Sequence, residues 1–340
     1  MAAIVEGSGA RTAVLVLGMH RSGTSVLAQL LARLGAAPPR DPNPPAPDNP
    51  EGYWEPAGVV RLHDRMLSAA DSAWLDTRPL DLGELGEERL RGFAGQLRAA
   101  LADSFGDAPC FVLKDPRICR MVPFHRDVLA GMGIAVKVVM ALREPADVAA
   151  SLFARNQISP DYAGFLWARH LLEAERHTRD LPRIVVPYGA LVDDWRATAQ
   201  RIAGFLAPEL PPADLDQVPS PVRADLRHHR FGAYTPFSGP LAELLGELHA
   251  ALERLPAGDA GDGPEDGADG GVGRFDRLAE RLSAVSARFA DLLAAEFCFQ
   301  RLTSPYDTVM PADPRRERQT LAEALGRLHR LQWRADAERR

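Results

Sequence analysis

The chain has 340 residues, 46% hydrophobic and 25% charged, which suits a globular protein with a sizeable core and excludes a disordered or fibrous one. A net charge of −6 argues against a general nucleic-acid coat protein. Three scattered cysteines, Cys110, Cys119 and Cys298, contain no CxxC pair, so a reducing compartment fits better than a disulfide framework, and no zinc ligand set stands out.

No apolar run approaches the roughly 20 residues of a membrane span, and residues 1–11 lack an apolar stretch flanked by positive charge, so the expected location is the cytoplasm. Four short apolar runs stand out: Ala13–Gly18, Cys110–Leu113, Val136–Leu142 and Ile184–Val186. None alternates cleanly, and each precedes a polar turn and a helical pattern, which is how strands buried on both faces of a parallel sheet read. After the first run, Val26, Leu27, Leu30, Leu31 and Leu34 recur at helical spacing and stop at Gly35. After the third, Pro145 opens a helix with Asp147 in its first turn. Alternating strands and helices predict an α/β fold, a three-layer sandwich of the P-loop type with a mostly parallel sheet.

Between the first two strands, Arg40–Pro56 is a proline-rich excursion ending in Glu51-Gly52-Tyr53-Trp54-Glu55, read as a lid. Residues 256–273 form an acidic, Gly-rich linker. It divides a core of residues 11–255 from a helical extension, 274–340, where Phe275, Leu278, Leu282 and Val285, then Leu321, Leu325 and Leu328, mark amphipathic helices. Their apolar faces are expected to dock on the core or on a second chain as a homo-oligomer.

Chemistry concentrates at strand ends. Gly18-Met19-His20-Arg21-Ser22-Gly23-Thr24-Ser25 lies between a strand and a helix, where successive backbone N–H groups cradle an anion. It approximates a Walker A loop, but Thr24 stands where the lysine belongs, which weighs against an ordinary kinase. Arg21 adds a planar fork suited to phosphate or sulfate. Arg143, at the carboxyl end of the third strand, and Ser151, two turns into the next helix, predict a second anion site separate from the first. Lys114, one of two lysines in the chain with Lys137, ends the second strand, where an ammonium can neutralise charge developing on a leaving oxygen. His170 and His177 lack metal-ligand spacing and read as a solvated helix face. Arg227-His228-His229-Arg230 is a small basic patch.

The RSGTS loop followed by R-x-P-x-D-x-x-x-S resembles the sulfotransferases that use 3′-phosphoadenosine-5′-phosphosulfate, over roughly residues 11–235 and including Lys114-Asp115-Pro116-Arg117. The loop arginine resembles the carbohydrate and tyrosyl-protein branch. The resemblance implies that His20 to Ser25 hold the 5′-phosphosulfate, and Arg143 and Ser151 the 3′-phosphate. It implies transfer of a sulfuryl group to a hydroxyl or amine of a glycan, lipid or small-molecule acceptor, with no metal and no nucleic-acid partner. Arg21, Lys114 and Glu55 are the candidate catalytic residues, Glu55 as general base with Glu51 and His63 as rivals. A degenerate-loop kinase and a nonenzymatic nucleotide-binding module are the competing readings.

Overall fold

The computed structural model describes residues 11–47, 49–212, 214–220, 236–237, 239–255, 271–303 and 313–338. The sheet is entirely parallel: β1 (Arg11–Leu17) lies between β2 (Cys110–Lys114) and β3 (Ile134–Leu142), and β4 (Arg183–Pro187) pairs with the far side of β3. Val16 is level with Lys114 and Leu17 with Met140, so the carboxyl ends of β1, β2 and β3 finish together.

Three layers follow from the period of two along each strand. Val14 and Val16 of β1 face a cluster built with α1 (Thr24–Arg33), while Ala13, Leu15 and Leu17 face a larger one built with α2 (Ala57–Ala69), α3 (Glu87–Phe105), α4 (Val122–Ala130), α5 (Pro145–Asn156) and α6 (Pro160–Arg176). The first cluster also takes Leu191 from α7 (Tyr188–Asp193) and Ile202 from α8 (Trp195–Phe205). The larger one takes Leu244 and Leu248 from α9 (Gly239–Glu253). With helices on both faces, the strands need no polar side, which explains their unbroken apolar runs.

Beyond the linker lie α10 (Gly271–Arg288), α11 (Ala290–Thr303) and α12 (Pro314–Glu338). The first three residues of α10 fall inside the stretch read as linker, and residues 256–270 lie outside the described residues. Phe275, Leu278, Leu282 and Val285 of α10 are buried in the same cluster as the sheet. These contacts join α10 to the larger of the two buried clusters. Among the described residues, no helix is long and apolar enough to cross a membrane.

Burying four such side chains is worth up to about 6–12 kcal/mol at ~1.5–3 each, comparable with the ~5–15 kcal/mol that holds a typical domain together. A chain ending at Leu255 should therefore lose its cooperative denaturant transition. Leu278→Ala should cost about 2–5 kcal/mol in the full chain, whereas Leu325→Ala, at a position 51% exposed, should stay within about 0.5 kcal/mol.

Candidate active site

The turn from β1 to α1 is shaped by glycine. Gly18 has φ 143°, and a Cβ there would lie 2.8 Å from the Ala141 carbonyl oxygen of β3. Gly23 has φ 88°, with a hypothetical Cβ 2.4 Å from the Tyr188 ring. Only glycine lets the loop run this close to its neighbours. Arg21 is also left-handed, at φ 70°, a conformation that costs energy outside glycine and collects at ligand sites. Gly23 caps α1 without a side-chain hydrogen bond, and no acidic residue occupies the first turn. That turn thus keeps the positive end of its dipole for an anion. Within the loop, the Oγ of Ser22 and the Nε2 of His20 are buried without a hydrogen-bond partner among the described residues.

Arg21 and the Arg143–Ser151 pair adjoin. Arg21 Nε donates to Ser151 Oγ at 2.9 Å, and a terminal nitrogen of Arg143 donates to the Arg21 carbonyl at 2.9 Å. Arg143 lies over the Tyr188 ring, 4.6 Å from its centroid; its Nε is 3.7 Å from an Asp147 carboxylate oxygen and makes no hydrogen bond among the described residues. Tyr188 is the first residue after β4.

The 40–56 excursion packs against Lys114 and Ser25. Bridges between Pro42 and Pro56 and between Ala46 and Asn49 shape the 40–56 excursion. Lys114 crosses to it, donating to Glu55 Oε1 at 2.6 Å, to the Tyr53 carbonyl at 3.0 Å and to Ser25 Oγ at 3.3 Å. Asn49 Nδ2 also donates to Ser25 Oγ, at 3.3 Å. Lys114 and Glu55 are 2% and 6% exposed. Asn43 Nδ2 donates to the second Glu55 oxygen at 3.3 Å. Glu51, the rival carboxylate, is exposed. Nothing in the sequence marked Asn49.

Asp115 turns inward. Its carboxylate accepts from the Arg117 backbone N–H at 3.0 Å and side chain at 3.1 Å, and lies 2.7 Å from His63 Nδ1. Arg117 also donates to Asp64 at 2.8 Å. His63 Nε2 is 2.9 Å from His125 Nε2, and His125 Nδ1 donates to the Met121 carbonyl at 2.9 Å. Both ring nitrogens of the fully buried His63 are thus engaged. His170, expected on a solvated face, is completely buried, its Nδ1 donating to the Leu166 carbonyl at 2.8 Å. His20 packs on Trp74, ring centroids 4.5 Å apart. Lys137 pairs with Glu209 at 2.9 Å, away from the strand ends. The basic patch at Arg227–Arg230 lies outside the described residues. No cluster of three metal-ligating side chains occurs among the described residues.

A family profile described as "Sulfotransferase family" matches residues 13–212, more than half of the chain. The chain belongs to the sulfotransferase family. Among solved structures it is similar to the sulfotransferase domain from the curacin biosynthetic pathway, at 14% identity over 80% of this chain and 98% of that one, with a TM-score of 0.40. It is also similar to the sulfotransferase domain from the Synechococcus PCC 7002 olefin synthase, at 16% identity over 80% and 97%, with a TM-score of 0.39. No curated protein matches the chain.

The buried polar groups of this sulfotransferase-family chain give its stability a pH signature. Burial, then the His63 charge, pushes His125 down to about 3; burial, then Arg120, does the same to His170. Burial and Arg117 hold His20 well below the usual histidine range. These rings stay neutral when folded, whereas the unfolded chain protonates them near pH ~6.5. Stability should therefore fall as pH drops below about 6.5, by up to ~1.4 kcal/mol per pH unit for each histidine. Asp115 has the opposite chemistry and the same outcome. Burial opposes its charge, but Arg117 and His63 outweigh that and keep its pKa well below the ordinary carboxylate value. Its contribution is complete above pH ~4 and is lost as pH falls through that lower pKa. Urea titrations from pH 7 to 4 should show this decline, with His170→Gln removing about one proton from the slope; a flat profile would contradict the buried, neutral histidines.

Proposed function

We propose that the protein transfers a sulfuryl group from 3′-phosphoadenosine-5′-phosphosulfate to a hydroxyl or amine of a glycan, lipid or small-molecule acceptor. The observation that carries this reading is the joining of Arg21, Ser151 and Arg143 into one cationic cluster beside an uncapped helix N-terminus. A donor with phosphates at both the 5′ and 3′ positions needs two adjoining anion sites. The loop from His20 through Ser22, Gly23 and Thr24 to Ser25 supplies amides and the Ser22 hydroxyl to the 5′-phosphosulfate. Arg143, whose Nε lies 3.7 Å from the Asp147 carboxylate, and Ser151 take the 3′-phosphate. With Thr24 in the position of the Walker lysine, the β,γ-phosphates of a nucleoside triphosphate lack their usual partner.

The reaction is an in-line displacement at sulfur. The acceptor oxygen or nitrogen forms a bond to sulfur while the bond from sulfur to the 5′-phosphate oxygen breaks. Adenosine 3′,5′-bisphosphate departs, and the acceptor's proton passes to the Glu55 carboxylate. Lys114, 2.6 Å from Glu55 and 3.3 Å from Ser25, stands between base and loop, where its charge can follow the charge building on the leaving oxygen. Arg21 holds the sulfuryl oxygens. The protein's contribution is positioning, charge neutralisation and proton removal, the division of labour of phosphoryl transfer.

Variants separate these roles. Arg143→Ala should weaken adenosine 3′,5′-bisphosphate by about tenfold or more in calorimetry, from loss of a charge-assisted contact of ~1.5–3 kcal/mol, and leave AMP binding little changed. Equal affinity of the unaltered protein for the two nucleotides would sink the assignment. Glu55→Gln should lower turnover of labelled donor by roughly 10²-fold or more with bisphosphate affinity nearly constant. Near-normal turnover in that variant would remove Glu55 as the base.

A further inference from the structure

The C-terminal helices lie beyond the stretch matched by the family, yet they build one wall of a cavity of about 460 Å³. The opposite wall is the 71–79 segment together with Arg169 of α6. That volume falls in the ~300–1,000 Å³ range of small-molecule pockets. Its surface is mainly apolar, with Leu293, Ala294 and Phe297 of α11 forming the greasy side.

The charges around it nearly cancel, and the remainder is informative. Arg78 is held by Asp76 at 2.7 Å, Arg316 by Asp71 at 3.3 Å, and Glu317 by Arg301 at 2.9 Å. Arg169 is left. Its Nε donates to the Thr77 carbonyl at 2.9 Å, and the carboxylate facing it, Glu173 at 3.8 Å, is shared with Arg120 at 3.3 Å. Two guanidinium groups thus divide one carboxylate. The terminal nitrogens of Arg169 make no hydrogen bond among the described residues, although the side chain is buried and lines the cavity. Burial pulls its pKa below the ordinary arginine value. Ser286 Oγ, on the α10 side of the same cavity, is buried and has no hydrogen-bond partner among the described residues. An apolar chamber holding an undercompensated guanidinium and an idle hydroxyl is complementary to one kind of molecule.

We propose that this cavity binds an amphipathic carboxylate, its apolar body against Leu293, Ala294 and Phe297 and its carboxylate on the terminal nitrogens of Arg169. The planar fork matches a carboxylate in two parallel hydrogen bonds. The site is distinct from the donor loop and does not depend on the donor proposed above.

Decanoate and decanol serve as probes, each titrated calorimetrically into the full chain below the concentration at which decanoate forms micelles. Decanoate should bind one to one and saturably, at least about tenfold tighter than decanol, since only the acid uses the guanidinium. Ala294→Trp, which fills the chamber, should weaken both by about tenfold or more. Arg169→Gln should bring acid and alcohol within about twofold of each other. Arg169 also braces Thr77; should its variant not fold, the acid–alcohol comparison in the unaltered protein and the Ala294→Trp result decide the matter. Absence of saturable decanoate binding, equal affinity for decanol, or undiminished binding in Ala294→Trp overturns the proposal.

Discussion

The parallel pairing of β1 between β2 and β3 is the constraint on which the site depends. Level strand ends bring the turn after β1, Lys114 at the end of β2 and Arg143 just past β3 to one edge of the sheet. Open α/β sheets bind ligands at that edge because strands there give way to loops and helix N-termini. Gly18 is a tight point of the arrangement: a side chain would push the loop off the Ala141 carbonyl and carry Arg21 away from Ser151. The fold and the anion cluster therefore rest on the same packing requirement.

The buried Lys114–Glu55 pair links that edge to the lid. An ion pair removed from water gains little net stability, but losing one partner strands a buried charge. A contact of this kind fixes geometry more than it adds stability, and it holds Glu55, Tyr53 and Ser25 around a single ammonium. Beneath it, Asp115 and Arg117 are tied to α2 through His63 and Asp64. Lys114 at the end of β2 thus faces the 40–56 excursion, while Asp115 and Arg117 just after it pair with α2.

Much of this was legible in the sequence. All four strands were visible as apolar runs, because strands covered on both faces carry little polar punctuation, and their ends fell within about two residues of the observed ones. Glycines at 18 and 23 and the position of Arg143 marked the β1–α1 loop and the end of β3 through local chemistry. The Arg21–Ser151 bond was not legible, since it joins residues 130 apart in the chain and depends on loop conformation. His170 was misread because α6 is buried nearly all round, packing on α5, α9 and α10, so a polar residue on it does not mark a solvated face. The α10 helix showed its apolar stripe plainly, but spacing alone does not reveal what covers a stripe.

A crystal structure with adenosine 3′,5′-bisphosphate tests the central claim most directly. The account predicts the 5′-phosphate within hydrogen-bonding distance of the backbone amides of residues 20–25, and the 3′-phosphate against Arg143 and Ser151. Lys114 should remain between Glu55 and the 5′ end. A nucleotide bound with its two phosphates exchanged, or bound away from the β1–α1 turn, would contradict the account.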